Sequence, residues 1–340
     1  MSLISRFRRK PDGRPNDKQQ DVVADAAVTK IPATDDLQYC RILQVPCEGE
    51  VVPDQTAIAS AWKMLEEQMT LVPEGEVSLL STDPGTLDTG IHDIPTEIAW
   101  VQSLYFDRCC VTNAEFEQFV AEGGYAQEHL WPPEILAHVL QFVDQSGCAG
   151  PRFWINGQPK STVQDHPVTG ICWYEANAYA HWRGKRLPTP AEWQRAATWA
   201  AGQSGPSVQT RYPWGDSYDP TRCNTWNSGI KATTPVSDYY SGCTPNGVYQ
   251  LIGNVWEWTA ALYESEVSAE GDRLLGDVPL AEIRGGAFDT YFASQATSLF
   301  RTGQNLLHRS RNLGFRCVVD ADQLLPQTDP YAFFEENGES

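Results

Sequence analysis

Apolar residues recur at helical spacing in four stretches of the chain, and each stretch predicts an amphipathic helix. The first covers residues 56–69, and its apolar face comprises Ile58, Ala61, Trp62, Leu65 and Met69. The second covers residues 112–122, because a Thr-x-x-Glu capping box precedes the apolar stripe and two glycines follow it. The third runs from about Trp173 to Arg183, and the fourth begins with the capping box Thr189-Pro190-Ala191-Glu192. After Gly202 the periodicity fades, and frequent Gly, Asn and Pro predict turns and brief strands.

Composition excludes several classes of protein. The 340 residues carry 25 Lys and Arg against 44 Asp and Glu, a net charge of −19, which argues against nucleic acid as the main partner. A hydrophobic content of 41% excludes wholesale disorder. We expect no membrane span, because no run of about 18 apolar residues occurs, and no secretory signal, because the basic N-terminus lacks an apolar stretch. Nine scattered cysteines favour a reducing, cytoplasmic location.

Charge and composition divide the chain into four segments. Residues 1–35 are predicted to form a basic flexible arm, because residues 1–20 carry six basic and two acidic side chains. Residues 36–68 form an extension with one amphipathic helix, residues 69–320 form the main domain, and residues 321–340 form an acidic, flexible tail. We interpret the arm as a solvated tail, and a contact of this arm with a larger assembly or a membrane surface is the alternative.

Seven segments, taken in order, resemble the formylglycine-generating enzyme family, also called the sulfatase-modifying factor family. They are residues 69–77, 104–125, 166–199, 211–216, 246–259 (NGVYQLIGNVWEWT), 284–288 (RGGAF) and 309–317 (RSRNLGFRC). The resemblance implies a single domain of the α+β class with a C-type-lectin-like core and little regular secondary structure. It also implies one of two functions, since the family includes copper-dependent oxidases and non-catalytic ligand-binding proteins, among them the variable proteins of diversity-generating retroelements.

The oxidase chemistry of the family is not expected in this chain. The resemblance places the two copper-binding cysteines at Gln295 and Phe300, and no cysteine occurs between Gly285 and Arg316. Cuprous ion needs soft thiolate ligands, which amide and phenyl groups cannot replace. No copper is therefore expected. The histidines also lack the cluster of an iron oxygenase related to this family.

The resemblance also implies a structural calcium site in the loop at 250–257. Its oxygen ligands would come from Gln250, Gly253, Val255 and Glu257. A second calcium site would begin at Asn224 and Thr225, although the loop that should complete it is short here. The alternative is that Glu257, a carboxylate between two tryptophans, pairs with Arg284 or Arg316.

In the family, the functional surface lies between the RGG and NLGFR motifs, here residues 287–312. The predicted ligand-binding residues are Asp289, Tyr291, Phe292, Arg301, Asn305, His308, Arg309 and Arg311. Aromatic, amide and cationic groups suit recognition, although each arginine could instead be structural. The hypothesis is a non-catalytic module that binds a protein or a small acidic ligand. The alternatives are an oxidase-type enzyme of unrecognised chemistry and a structural subunit of a larger assembly.

Two further features have structural interpretations. Eight tryptophans between residues 173 and 258 are predicted to pack in the core, since they fall on the family motifs. Cys109 and Cys110 are predicted to lie on a strand as structural thiols, with a redox or metal site as the alternative.

Overall fold

The computed structural model describes residues 62–63, 65–80, 95–198, 209–263 and 279–324. The predicted basic arm, most of the N-terminal extension and the acidic tail beyond Leu324 lie outside these residues. Their proposed boundaries and roles therefore stay predictions.

Short helices and strands alternate along the described chain. The strands are β1 (Met69–Val72), β2 (Gly75–Leu80), β3 (Pro95–Val101), β4 (Leu104–Asp107), β5 (Trp256–Leu262), β6 (Leu280–Arg284), β7 (Arg301–Asn305), β8 (Leu313–Gly314) and β9 (Val318–Asp320). The helices are α1 (Asn113–Ala121), α2 (Leu136–Val139), α3 (Trp173–Trp182), α4 (Pro190–Thr198) and α5 (Ala321–Leu324). This mixture, with long irregular connections, confirms the predicted α+β class with little regular secondary structure.

Three of the four predicted helices form where local capping predicts them. The Thr112 side chain accepts a hydrogen bond from the Glu115 amide at the start of α1, and the Glu115 carboxylate accepts one from the Thr112 amide. Thr189 and Glu192 make the same reciprocal bonds before α4. Helix α3 ends one residue before Arg183, and Gly184 follows in the left-handed conformation that glycine adopts without strain.

The first predicted helix is wrong at its C-terminal end. Met69 begins strand β1 and pairs with Asp107 of β4, so it does not continue the helix. Leu65 and Met69 are nevertheless both buried, where they contact Val319 and Leu324. The apolar pattern therefore identified core positions correctly, while tertiary pairing with β4 decided the backbone conformation.

The strands form three sheets, with the orders β1-β4-β9, β2-β3 and β7-β6-β5-β8. An aromatic core underlies them, in which Tyr179 stacks on Phe116 with ring centroids 5.3 Å apart. Trp193 and Trp258 are fully buried, as predicted for the tryptophans of the family motifs. Among the predicted core tryptophans that the structure describes, Trp226 is the exception, because 42% of its surface is exposed; Trp199 lies outside the described residues. The core prediction for Trp226 is therefore wrong.

The four-stranded sheet positions the segment between the RGG and NLGFR motifs. Strand β6 ends at Arg284, and the chain turns through Gly285 and Gly286, whose φ angles are 93° and 78°. A Cβ atom on Gly285 would lie 2.5 Å from the Leu251 carbonyl oxygen, so only glycine fits there. The chain then returns as β7, antiparallel to β6. Residues 285–300 therefore form a loop at one end of this sheet.

Candidate functional site

Three aromatic side chains form an exposed group on the 285–300 loop and the loop beside it. Trp226, Tyr291 and Phe292 are 42%, 64% and 61% exposed. The Tyr291 ring lies 6.1 Å from that of Trp226 and 5.2 Å from that of Phe292, centroid to centroid, both in edge-on arrangements. We call these three residues the aromatic cluster. Large rings left in water next to one another are typical of a contact surface rather than of a core.

Hydrogen bonds fix the backbone beneath the aromatic cluster. The Trp226 amide donates to the Thr290 carbonyl at 3.2 Å, which joins the two loops. The Thr290 hydroxyl accepts from the Ala287 amide at 2.8 Å, and the Thr290 amide donates to the Ala287 carbonyl at 2.9 Å. The Lys231 ammonium lies 5.2 Å from the centre of the Trp226 ring, close enough for a cation–π interaction. Hydrogen bonds therefore fix the backbone that carries the aromatic cluster, and a cation lies beside the Trp226 ring.

Polar residues of the predicted ligand-binding segment are also exposed. The Asp289 carboxylate accepts two contacts from the Asn312 amide group, at 3.0 and 3.1 Å. Arg311 is exposed, and its guanidinium lies 4.8 Å from the centre of the Phe153 ring. His308 is also exposed, in the turn after β7. Asp289, Tyr291, Phe292, His308 and Arg311 thus all have side chains that a partner can reach.

Arg309 does not belong to this surface. Its guanidinium donates to the carbonyl oxygens of Val143, Gly150 and Gly170 at 2.6 to 3.0 Å, and it pairs with Glu175 at 2.9 Å. Its side chain is only 10% exposed, and burial raises the pKa of the Glu175 carboxyl that faces it. The prediction that Arg309 binds a ligand is wrong, because the arginine satisfies loop carbonyls inside the domain.

Arg301 and Asn305 are likewise part of the scaffold. Arg301 begins β7 and lies 3.6 Å from the Glu282 carboxylate, which also receives a 2.6 Å hydrogen bond from Arg284. The Asn305 side chain accepts from the Leu307 amide at 2.8 Å and so holds the turn after β7. These contacts replace the ligand-binding roles predicted for both residues.

The positions of the family's copper ligands carry no thiol. Gln295 ends a short 3₁₀ turn at Ala293–Gln295, and the Phe300 ring lies 6.0 Å from that of Trp256. The seven cysteines within the described residues are free thiols. Burial raises the pKa of Cys109 and of Cys223 to about 11, which disfavours the thiolate that would bind a metal. No group of three or more His, Cys, Asp or Glu in this described part could hold a metal ion.

The predicted calcium ligands do not fit a calcium site. Both oxygens of the buried Glu257 carboxylate are engaged by Arg316, at 2.7 and 2.8 Å. Trp193 donates to the same carboxylate at 2.7 Å, and the Cys110 thiol donates at 3.3 Å. A carboxylate that accepts four donors has no lone pair directed at a cation. The structure has the alternative arrangement, in which Glu257 forms an ion pair with Arg316.

Two of the other predicted calcium ligands, Gln250 and Gly253, accept hydrogen bonds within the protein. The Gln250 carbonyl oxygen accepts from the Asn254 side chain at 2.6 Å, and the Gly253 carbonyl accepts from the Val255 amide at 2.9 Å. At the second predicted site, the Asn224 side-chain oxygen accepts from Ser228 at 2.8 Å. The Thr225 hydroxyl lies 2.9 Å from that of Tyr218. Gln250, Gly253, Asn224 and Thr225 therefore all form hydrogen bonds or close polar contacts within these loops.

Sequence reasoning missed Trp226 and Lys231 as surface residues. Both lie outside the segment between the RGG and NLGFR motifs, and Trp226 shares its residue type with the buried tryptophans. The local run of Asn, Ser and Gly after Trp226 was the available signal, because such turns lie at the surface.

Comparison with known proteins identifies the domain. A family model described as a sulfatase-modifying factor enzyme 1-like domain matches residues 54–321, and so begins before the domain boundary predicted at residue 69. Formylglycine-generating enzyme of Streptomyces coelicolor is 32% identical over 269 residues, covering 68% of this chain and 82% of that protein. A Bos taurus protein named inactive C-alpha-formylglycine-generating enzyme 2 is 29% identical, covering 74% of this chain and 88% of that protein.

Hercynine oxygenases match over a smaller share of their length. The Mycolicibacterium smegmatis protein is 33% identical over 203 residues, which covers 56% of this chain and 45% of that protein. The chain thus spans about half the length of these relatives. Among solved structures, Treponema denticola variable protein 1 is 16% identical with a TM-score of 0.48, covering 74% of this chain and 94% of that one. None of the helices formed by the described residues is long and apolar enough to cross a bilayer.

Proposed function

Because the chain belongs to the sulfatase-modifying factor enzyme 1-like family, we propose that it is a non-catalytic member that binds a partner protein through the aromatic cluster. Matched relatives of this family include enzymes and a protein named inactive, so membership alone does not decide between catalysis and binding. The choice of binding over catalysis rests on two observations. Gln295 and Phe300 stand where the family's copper enzymes carry cysteines, and the three rings of the aromatic cluster are exposed.

The observation that carries the proposal is the exposure of three adjacent aromatic rings on a fixed backbone. Trp and Tyr are enriched among the residues that dominate protein–protein binding energy. Their rings offer about 150–250 Å² each and lose little conformational freedom on binding. The hydrogen bond between Trp226 and Thr290 holds the two loops together before any partner arrives, which lowers the cost of association.

Charge near the aromatic cluster favours an acidic contact surface on the partner. Lys231 lies against Trp226, and the predicted recognition segment carries a second exposed cation, Arg311, which lies over the Phe153 ring. Both are exposed cations on a chain with a net charge of −19. They would attract carboxylates and speed the encounter at low ionic strength. A small acidic ligand at the same cations is the alternative, and it would not need the three rings. A reducing compartment such as the cytoplasm suits the free thiols.

Absence of thiols at the copper positions argues against the oxidase alternative. Gln295 and Phe300 offer an amide and a phenyl ring, neither of which binds cuprous ion. The described cysteines lie elsewhere, and burial raises the pKa of Cys110, Cys172 and Cys317 well above the usual thiol range. The relative named as inactive shows that a domain of this family need not be an active enzyme.

Affinity capture from native lysate tests the proposal. The bait is the full chain, either wild type or with Tyr291→Ala and Phe292→Ala together, and captured proteins are quantified by mass spectrometry. We expect at least one protein to be retained by the wild type and lost with the double variant. The double variant should be destabilised by less than about 2 kcal/mol, because both side chains are mostly exposed.

A matched control uses two exposed apolar side chains elsewhere. Ile98 and Trp100 on β3 are 60% and 57% exposed, so Ile98→Ala with Trp100→Ala removes a similar apolar surface. This control should capture the same proteins as the wild type. Equal capture by the wild type and the Tyr291/Phe292 variant would refute the proposed surface. Equal loss with both double variants would show a non-specific apolar contact, which also contradicts the proposal.

A further inference from the structure

A cavity of about 460 Å³ lies where strand β4 ends beside helices α1 and α3. Its lining includes Cys109, Thr112, Glu115, Tyr179, Arg183 and Lys185. No residue of the aromatic cluster lines this cavity, so it is a separate feature of the described chain. Its volume falls within the range of about 300–1,000 Å³ that is usual for small-molecule sites. Cys109 was predicted to lie on a strand, but it follows β4 and borders this cavity.

Tyr179 brings a buried hydroxyl to the cavity wall. Its side chain is 3% exposed, and its ring is held by stacking on Phe116 and by an edge contact with Phe315. Among the described residues, none forms a hydrogen bond with the Tyr179 hydroxyl. Burial raises the pKa of Tyr179, which keeps the hydroxyl protonated as a donor. The hydroxyl borders the cavity, so water or a ligand there can accept a hydrogen bond from it.

Two cations stand beside this hydroxyl. Arg183 follows Tyr179 by four residues and so continues the same face at the C-terminal end of α3. Its guanidinium lies 5.6 Å from the centre of the Trp182 ring, and no carboxylate within the described residues pairs with it. The Lys185 side chain is 8% exposed and donates to Asp107 at 2.7 Å. An ammonium group has three protons, so Lys185 keeps donors for a further acceptor.

The carboxylates that line the cavity are those of Asp107, Glu115 and the exposed Glu67, and the first two accept hydrogen bonds within the protein. The second oxygen of Asp107 accepts from the Cys317 amide at 2.8 Å. Glu115 accepts from the amide and the hydroxyl of Thr112 at 2.8 and 2.7 Å. Both Asp107 oxygens and one Glu115 oxygen are therefore engaged, whereas no carboxylate of the described residues pairs with the Arg183 guanidinium. Val236 and Tyr249 add an apolar side to the wall.

We propose that this cavity binds a small organic carboxylate. The Tyr179 hydroxyl, the Arg183 guanidinium and the Lys185 ammonium hold the carboxylate group, and the apolar body of the ligand lies against Val236 and Tyr249. A carboxylate accepts several charge-assisted hydrogen bonds at once, and such bonds are about twice as strong as neutral ones. This site is independent of the aromatic cluster, which is proposed above to bind a partner protein.

Protection of Cys109 from alkylation tests this proposal. The thiol lines the cavity, so a bound ligand should slow its reaction with N-ethylmaleimide, measured by peptide mass spectrometry at mildly alkaline pH. The probes are benzoate and phenylacetate, each at millimolar concentrations, with benzamide and phenylacetamide as uncharged controls of the same shape. Cys148 is exposed and does not line the cavity, so it serves as an internal reference within the same molecule. We expect saturable protection of Cys109 by a carboxylate, none by its amide, and none of Cys148.

Two variants connect the protection to the named groups. Tyr179→Phe removes only the hydroxyl, and Arg183→Met removes the charge of a half-buried side chain. Each should weaken carboxylate binding by about tenfold, the effect of one hydrogen bond to a charged group. Arg152→Met changes the same residue type outside the cavity and should leave binding unchanged. Lys185 is left intact, because its loss would leave the Asp107 carboxylate buried and unpaired.

Three results would overturn the proposal. One is the absence of any effect of both carboxylates on Cys109 alkylation, with isothermal titration also showing no binding. Another is equal protection by the carboxylates and their amides. The third is that the carboxylates protect Cys109 in Arg183→Met as strongly as in the wild type. That result overturns the proposal even if Tyr179→Phe fails to fold.

Discussion

The guanidinium of Arg316 binds both oxygens of the Glu257 carboxylate, with Nη2 2.7 Å from Oε1 and Nε 2.8 Å from Oε2. Both side chains are fully buried. The same guanidinium donates to the carbonyl oxygens of Asp107, Arg108 and Tyr249 at 2.9 to 3.2 Å. This single ion pair therefore joins β5, the residues that follow β8, the end of β4 and the 250–257 loop. It occupies the carboxylate that the family resemblance assigned to calcium.

Removal of one partner of this pair should destabilise the domain strongly. Glu257→Gln or Arg316→Met leaves a buried charge without its partner, which costs about 3–5 kcal/mol. The double variant should recover a large part of that loss, because no charge then remains buried. Urea denaturation of the four proteins measures the coupling.

The control for this cycle is an exposed ion pair. Asp219 and Arg222 lie 3.1 Å apart at the surface, so Asp219→Asn should barely change the denaturation midpoint. Strictly additive losses in the Glu257/Arg316 double variant would contradict the account, because they would mean that the two residues act independently.

Calcium removal should leave the protein unchanged. Since the Glu257 carboxylate is bound by Arg316, Trp193 and Cys110, added chelator and added calcium should give the same melting temperature. Differential scanning fluorimetry measures both conditions. A melting temperature that rises with calcium would show binding to the folded state, since such binding stabilises in proportion to RT ln(1 + [L]/Kd). That rise, lost in Glu257→Gln, would restore the calcium assignment.

Alkaline pH should destabilise the fold through its buried thiols. Burial raises the pKa of Cys109 and of Cys223 from 9.0 to about 11, so the folded state retains these protons longer than the unfolded state does. The contribution of the thiols to stability is full below the unfolded pKa near 9.0 and is lost as the pH rises towards about 11. Wild type should therefore lose more stability over this range than a Cys109→Ala, Cys223→Ala variant. If the urea denaturation midpoints of both proteins change equally with pH, that result contradicts these raised pKa values.

The purified protein should not perform the oxidation that defines the family's copper enzymes. Loaded with copper and offered a sulfatase-type Cys-x-Pro-x-Arg peptide, it should leave the thiol intact, because Gln295 and Phe300 replace both cysteine ligands. Peptide mass spectrometry checks the outcome, with an active formylglycine-generating enzyme assayed in parallel. Conversion of the thiol to an aldehyde by this protein would establish the enzyme alternative.

Local signals in the sequence predicted local structure well. The capping boxes at Thr112 and Thr189 use atoms within three residues of each other, so their helices could be predicted without knowledge of the rest of the fold. Arg309 could not be assigned in this way. Its partners Val143, Gly150 and Gly170 lie more than 130 residues away along the chain, and only the folded domain brings their carbonyls to it. The exposure of Trp226 likewise depends on its contact with the distant Thr290.

The predicted ligand-binding segment, residues 287–312, was only partly predicted, because pairing with a distant strand positions some of its residues. Tyr291 and Phe292 lie in the loop that the motif order indicated, and their exposure is consistent with a role in binding, which stays a proposal. Arg301 and Asn305 lie in the same segment but belong to β7, whose pairing with β6 assigns them to the scaffold. Motif position therefore located the segment, whereas sheet pairing decided which of its side chains face solvent.

Photo-crosslinking from within the aromatic cluster shows whether a partner protein binds at these three residues. Benzoylphenylalanine replaces Phe292 in one variant and the exposed Trp100 in another, and each is irradiated in cells that express the protein from its own gene. We expect a discrete crosslinked protein from position 292 that is absent from position 100 and is lost when Trp226→Ala is added. No crosslink from position 292, or the same species from both positions, would contradict recognition by this surface.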